Sequence, residues 1–221
     1  MRRLAVAWTL VALIAPQPAI ATESPIVERG QTVEGRDLAS WLVAWNRWRF
    51  ALPAKQPTSS ACLTEHQGGP VWFLGGGGAS VDGGHVITID CTVPAGRYLM
   101  TGIPQTICSD VFPELGYPLT AAGLIRCARD SWRELGDQAP RLVIDGAPIP
   151  NGFFVHTRAF RFKMPARNNV FRLPGVRGGR AASAGRIAII KPLAPGRHTV
   201  IEGVKYRDFH NQVIVYNLDV V

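Results

Sequence analysis

The sequence predicts a mainly β fold, an antiparallel β-sandwich or jelly roll into which two helices are inserted. Three observations support this class. About eight short apolar segments alternate with a period of two and are separated by turn residues. Two further segments have apolar residues at helical spacing. Four cysteines are placed so that two local loops can be closed by disulfides.

The first 21 residues have the features of a secretory signal peptide. A short basic region and an apolar segment from Leu4 to Ala15 precede an A-x-A cleavage site at residues 19–21. We expect residues 22–221 to form a single disulfide-stabilised β-rich domain, with residues 22–34 as a loosely attached polar arm. No later segment is apolar for about 18 residues, so no transmembrane segment is expected after cleavage.

The four cysteines are Cys62, Cys91, Cys108 and Cys127. An even count in an exported chain predicts disulfides. Three connectivities are possible, and we favour Cys62–Cys91 with Cys108–Cys127 because each closes a local loop. A zinc site is the alternative, but there is no C-x-x-C pair and the spacings of 29, 17 and 19 fit no usual signature. No metal and no cofactor are therefore expected.

The first predicted helix begins after Asp37, which can cap it, and ends before Pro53. Leu38, Trp41, Trp45 and Trp48 recur at intervals of three and four, which places them on one face of that helix. A stripe of tryptophans could be a sugar-stacking platform. The more common role of such a stripe is to form the buried face of a helix that lies on a sheet.

The second predicted helix begins after Thr120 and is followed by Gly136, a typical stop residue. Leu124, Ala128 and Trp132 lie on one face. Because Cys127 falls in the middle of this helix, a bridge to Cys108 would attach the helix to the preceding loop.

Several strands are predicted from alternation. Residues 85–93 place Cys91 on the same face as the isoleucines, so its bridge should be partly buried. Residues 71–74 are expected to form a short strand buried on both faces, and the closing strand is expected near residues 212–220. Asp145-Gly146 is a strong hairpin signal.

The segment 153–164 contains a change of phase. Phe153 and Val155 set one parity, whereas Phe160 and Phe162 set the other, which predicts a bulge or a break around His156–Ala159. Residues 165–184 are rich in Gly, Arg, Asn and Ala, and we expect them to form a long mobile loop before a strand at 186–190.

The formal net charge is +8, and it becomes +6 without the two arginines of the signal peptide. Basic residues are densest between 158 and 186. In an exported protein they are expected to attract anionic glycans, lipid head groups or cell-wall polymers, whereas the compartment argues against nucleic acid. A solvated basic face is the alternative explanation. The candidate binding residues are His156, Arg158, Arg161, Arg172 and Arg177.

No catalytic signature is present. The glycines at 75–78 lack the Lys and Ser or Thr of a phosphate-binding loop, so they are expected to form a bend. There is no G-x-S-x-G or S-x-x-K motif. The five histidines show no metal-binding spacing. The carboxylates that could serve glycoside hydrolysis, most of them beside turns, are Asp82, Asp90, Asp145, Asp208 and Glu202.

An ordered set of motifs extends over most of residues 38–220. It comprises CLTEHQGGPVWFLGGG, CTVPAGRYLM, LVIDGAPIPN, FRFKMP and LAPGRHTV. This set resembles a family of secreted bacterial proteins of unknown function. The resemblance implies an exported protein with the same four-cysteine frame, and it implies no activity. The chain departs from the family pattern at Arg97, where Lys is usual, and in the basic segment 165–184, where acidic and Asn residues are expected.

Three functions are therefore considered. The leading hypothesis is an exported, non-enzymatic envelope protein, secreted or periplasmic, that binds a polysaccharide or another anionic partner. The second is a secreted hydrolase of glycans or lipids that uses carboxylates or a histidine from separate strands. The third is a subunit of an envelope assembly that uses an exposed edge strand.

Overall fold

The structure is a computed structural model that describes residues 23–54, 61–75, 86–101, 104–112, 116–135, 141–150, 152–204 and 212–221. Several positions considered in the sequence analysis lie outside these residues, namely the predicted signal peptide, most of the glycine run, Asp82, His85, Gly136, Asp208 and His210. The two helices are α1 (Leu38–Ala51) and α2 (Ala121–Leu135). The strands are β1 (Val71–Phe73), β2 (Val86–Val93), β3 (Tyr98–Thr101), β4 (Gln105–Ser109), β5 (Arg141–Ile144), β6 (Ala147–Ile149), β7 (Phe153–His156), β8 (Phe160–Lys163), β9 (Gly178–Ile190), β10 (Gly196–Val204) and β11 (Gln212–Val220).

The strands form two sheets, which confirms the predicted sandwich with two inserted helices. The first sheet contains β1, β3, β4, β7, β8 and β9, and the second has the order β2-β11-β10-β5-β6. Two pairings are parallel, β1 with β3 and β2 with β11. The other pairings between these strands are antiparallel.

Strand β9 is the centre of the first sheet because it is paired along both edges. Strands β3 and β4 pair with successive parts of one edge. Strands β8 and β7 pair with successive parts of the other edge, and a bridge from Ile26 to Ile190 continues that side. Five separate segments of the chain are thus held together by one strand.

The phase change predicted near His156–Ala159 is confirmed as an interruption between β7 and β8. Phe153 and Phe160 are seven residues apart, whereas their partners Ile187 and Ala181 are six apart. One extra residue therefore lies between the two strands, as in a β-bulge. Thr157 fixes this point, because its N–H donates to Ser183 O and its hydroxyl accepts from Ser183 N.

The two faces of β9 are covered by different elements. Its odd-numbered residues Ile187 and Ile189 pack in a cluster with the tryptophans of α1. Its even-numbered residues face the opposite way. Ala182 and Ala184 pack against α2, whereas Ala188 and Ile190 belong to the cluster between the two sheets. Because side chains alternate along the strand, α1 covers one face of β9, whereas α2 and the second sheet cover successive parts of the other face.

Helix α1 forms as predicted. Ser40 N donates to Asp37 Oδ1 at 2.7 Å, which caps the first turn. Trp41, Trp45 and Trp48 are all buried, and each indole N–H donates to a backbone carbonyl. The tryptophan stripe is therefore a core face and not an open sugar-binding platform.

Both predicted disulfides are present, Cys62–Cys91 and Cys108–Cys127. Cys91 is buried with the isoleucines of β2, as the alternation predicted. Cys127 attaches α2 to β4, and Thr120 caps that helix by accepting from Gly123 N. Two structural disulfides are characteristic of an oxidising, extracytoplasmic environment.

Two predictions about loops were wrong. Residues 178–184, expected in a mobile loop, form the first half of β9. Small residues are needed there because the neighbouring strand approaches closely: a Cβ on Gly178 would lie 2.3 Å from the backbone oxygen of Phe162 in β8. The remaining loop is anchored by buried Asn169, which donates to Pro165 O and Leu173 O and accepts from Leu173 N.

The N-terminal arm is also not loose. Ile26 and Val27 are buried, and Val27 N donates to Ile189 O at 2.8 Å. Two apolar residues in a polar segment are sufficient to attach it, because β9 has an unpaired stretch at that point of its edge. No helix within the described residues is long and apolar enough to cross a membrane.

Candidate functional site

A basic groove lies at the open edge of β8, where this strand meets α1 and the start of β9. Its volume is about 560 Å³. The residues that line it are Arg47, Ala51, Arg161, Phe162, Lys163, Gly178 and Gly179. It contains three cationic side chains and no carboxylate. We call it the basic groove.

The three cations are held by the fold without being neutralised. Arg47 Nε donates to Arg161 O at 2.9 Å, and its guanidinium lies 5.9 Å from the ring centroid of Phe160. Arg161 and Lys163 alternate with Phe160 and Phe162, which are buried, so the two basic side chains are exposed. Within the described residues none of the three cations forms an ion pair. Their charge is available to an anionic ligand.

Two glycines keep the floor of the groove low. A Cβ on Gly178 would lie 2.3 Å from Phe162 O, so a side chain cannot be accommodated there. Gly178 also has a φ of +152°, which is unfavourable for other residues. Gly178 and Gly179 thus line the groove with backbone atoms alone.

The five predicted binding residues are not all brought together. Arg161 lines the basic groove. His156 is exposed on β7, beyond the bulge. Arg158 lies near the N-terminus of α1, close to Asp37. The hydrogen bonds from Ser40 are the main cause that lowers the pKa of Asp37, and the positive charge of Arg158 lowers it further. Arg172 and Arg177 are exposed in the loop before β9 and do not line the groove.

A second groove lies between α2 and β7, with a volume of about 470 Å³. It is lined by Arg129, Trp132, Arg133 and Phe154. The two rings are 5.7 Å apart between centroids and form an apolar floor. Arg133 has an exposed ion pair with Asp130 at 2.8 Å, which is worth little in water. We call it the aromatic groove.

His198 and Asp145 form a partly exposed pair in which the pKa values of both groups are shifted. His198 Nδ1 lies 2.7 Å from Asp145 Oδ2, and Nε2 lies 2.9 Å from Ala194 O. The hydrogen bond to Asp145 raises the pKa of His198, although partial burial acts in the other direction. Partial burial acts to raise the pKa of Asp145, but the hydrogen bonds from His198 and Thr199 N outweigh it and lower that pKa.

This pair is arranged as a structural clamp and not as a general base. A carbonyl oxygen can only accept, so His198 Nε2 must carry a proton. Nδ1 faces a carboxylate and is also best protonated. Neither ring nitrogen is therefore free to take a proton from a substrate, and the clamp joins the β5–β6 hairpin to β10.

The other carboxylates considered for hydrolysis are separated or engaged. Asp90 Oδ1 accepts from Asn217 Nδ2 at 2.8 Å on the outer face of the second sheet. Glu202 is buried, beside Tyr216 in the core between the sheets. No group of three or more His, Cys, Asp or Glu side chains within the described ranges could hold a metal ion.

Two edges of the sheets, that of β7 and β8 and that of β2, are partly interrupted or covered. The carbonyl of Arg161 on β8 is already occupied by Arg47, and the bulge interrupts the edge between β7 and β8. On the second sheet, Ala61 bridges to Asp90 on the edge strand β2. Bulges and covered edges are common protections against pairing with another chain.

The sequence reasoning missed Arg47, Lys163 and the aromatic groove. Arg47 lies on the face of α1 opposite the tryptophans. From that face its side chain reaches the edge of β8. Arg129 and Arg133 are four residues apart, which places them on one side of α2. These signals were visible, but only the tertiary structure shows which strand each helix faces.

Comparisons with known proteins add no identity. No family model matches the chain, and no curated protein matches it. A chain from the structure of PbICP-C in complex with falcipain-2 aligns with 69% of this chain and 100% of its own length, at 14% identity and a TM-score of 0.26. We attach no structural or functional conclusion to a likeness of this size.

Proposed function

We propose that this is an exported, non-enzymatic protein of the cell envelope that binds an acidic polysaccharide through the basic groove. The observation that carries the proposal is the convergence of Arg47, Arg161 and Lys163 around an open backbone floor, with no carboxylate in the lining. The two disulfides support an oxidising compartment outside the cytoplasm.

The chemistry of the groove favours anions with several oxygen acceptors. Guanidinium groups donate two parallel hydrogen bonds to a carboxylate, and lysine adds a point charge. The groove is open and shallow, with three cations on different elements, which suits a chain lying across the surface better than a small molecule enclosed in a pocket.

The test uses polygalacturonate as the acidic polysaccharide and dextran as an uncharged match. We expect the oxidised protein to bind polygalacturonate and not dextran, and the affinity to fall with added salt. In the double variant Arg161→Gln/Lys163→Gln, affinity should fall about tenfold or more, since two charge-assisted contacts are removed. Biolayer interferometry with the immobilised polysaccharide measures both quantities.

A matched control removes the same charge elsewhere. Arg141 and Arg167 are exposed and line neither groove. The variant Arg141→Gln/Arg167→Gln should bind within about twofold of the wild type, because distant surface charges contribute little at physiological salt. An equal loss in both variants would mean non-specific attraction and would overturn the groove as the site. Release of oligosaccharides during binding would overturn the non-enzymatic assignment and favour the hydrolase.

A further inference from the structure

The bulge between β7 and β8 has a consequence for charge as well as for packing. In an uninterrupted strand, Phe154 and His156 would lie on the face opposite Arg161 and Lys163, because their numbers differ in parity. The extra residue at 157–159 removes that difference.

The register shows that these four residues share one face. Phe154 and His156 lie opposite Arg186 and Ala184 of β9, and Arg161 and Lys163 lie opposite Arg180 and Gly178. All four partners are even-numbered, and the even-numbered face of β9 is the one that packs against α2. The bulge therefore aligns the basic residues of β8 with the part of β7 that reaches the aromatic groove.

The two grooves adjoin opposite ends of this aligned edge, the aromatic groove on the α2 face and the basic groove where Arg47 of α1 reaches the edge from the other face. Phe154 lines the aromatic groove, and Lys163 lines the basic groove. Their partners on β9, Arg186 and Gly178, are eight residues apart, which corresponds to roughly 27 Å of strand. His156 is exposed between them, and its side chain can donate to an anion passing along the edge.

We infer that the aromatic groove is a second subsite for the same ligand, and that this ligand is a linear polyuronate that spans both grooves along the β7–β8 edge. This inference rests on the proposed function. The half-buried ring of Phe154, backed by the buried Trp132, offers an apolar surface for the C–H face of a sugar ring, and Arg129 and Arg133 can bind the carboxylate that the ring carries. An inorganic polyanion has no apolar surface and would gain no binding energy from that apolar floor.

The experiment measures affinity against ligand length with galacturonate oligomers from the monomer to the decamer. Affinity should rise steeply once the oligomer reaches ~27 Å, because the second contact then becomes intramolecular. We expect the decamer to bind at least about a hundredfold more tightly than the trimer, which exceeds the roughly eightfold gain from additional binding registers on one subsite. Polyphosphate of comparable length is the second probe, and its affinity should lack this step.

The variant Arg129→Gln/Arg133→Gln tests the second subsite directly. It should reduce the decamer-to-trimer affinity ratio to the roughly eightfold factor that comes only from the additional binding registers of a longer chain, whereas Arg141→Gln/Arg167→Gln should preserve the full ratio. A wild-type ratio of about eightfold or less, or an unchanged ratio in Arg129→Gln/Arg133→Gln, would overturn the two-subsite inference while leaving the basic groove in place. An equal length step with polyphosphate would overturn the preference for sugars. Failure of every oligomer to bind would instead overturn the proposed function.

Discussion

Replacing Gly185 by alanine tests whether β9 is the central strand of the first sheet. Gly185 is paired on both edges, with Gln105 of β4 and Val155 of β7. A Cβ at this position would lie 2.4 Å from Pro104 O and 2.7 Å from Gln105 Cα. Both contacts are with backbone atoms, so rotation of a side chain cannot relieve them.

The cost can be worked out from these contacts. Relief requires β4 to move away from β9 by close to an ångström, which weakens the bond from Arg186 N to Pro104 O at 3.1 Å. Overpacking costs roughly 1–3 kcal/mol and a lost hydrogen bond about 1 kcal/mol. We expect Gly185→Ala to lower the free energy of unfolding by about 3 kcal/mol.

Gly203 in β10 provides a matched control. A Cβ there would meet Arg141 Cβ at 3.7 Å, which is an ordinary contact, and its φ is not positive. Gly203→Ala should be neutral or should stabilise the fold by up to about 1 kcal/mol, because alanine lowers the conformational entropy of the unfolded chain. Urea unfolding followed by tryptophan fluorescence measures both variants. If Gly185→Ala had the same unfolding midpoint as Gly203→Ala, the assignment of β9 as a close-packed central strand would be refuted.

Three further predictions concern the interior and the clamp. The stabilisation that protonated His198 gains from Asp145 should be complete below pH 6.5, the ordinary pKa of histidine, and should be lost as pH rises through the raised pKa of folded His198. The difference in unfolding free energy between the wild type and His198→Gln should therefore shrink by about 1 kcal/mol or less between pH 5 and pH 9. A difference that stays constant over this range would contradict the clamp. Among the described residues the buried hydroxyl of Tyr216 has no hydrogen-bond partner, so Tyr216→Phe should raise the free energy of unfolding in urea by about 1 kcal/mol, and a large destabilisation would show that the hydroxyl is hydrogen-bonded in the folded protein. In the double variant Cys108→Ala/Cys127→Ala the free energy of unfolding should fall by about 3 kcal/mol, because a loop with a sequence separation of 19 is no longer closed in the unfolded chain. An unchanged melting temperature would contradict a stabilising role of this disulfide.

The parts of the fold that follow local rules were predictable. The cap at Asp37, the Asp145-Gly146 hairpin turn and the pairing of cysteines across short loops all depend on residues close in sequence. The bulge near Thr157 was predictable as well, because a buried strand cannot change phase without one.

The parts that failed depend on what packs against a segment. Residues 178–184 have the composition of a loop, yet glycine and alanine are required where two strands and two helices approach β9 closely. The N-terminal arm looked polar, yet Ile26 completes the edge of the same strand. The basic groove was missed for the same reason, since Arg47 and Lys163 are far apart in sequence and meet only when α1 lies beside β8.

The most direct test of the central claim is an amide NMR titration of the isotope-labelled, oxidised protein with galacturonate decamer. If the polyuronate binds in the basic groove, the largest shift changes will fall on Arg161–Lys163 and on Gly178 and Gly179, and they will saturate with one affinity. Changes confined to the outer face of the second sheet, around Thr199 and Asn217, would place the ligand elsewhere and rule out the basic groove as its site.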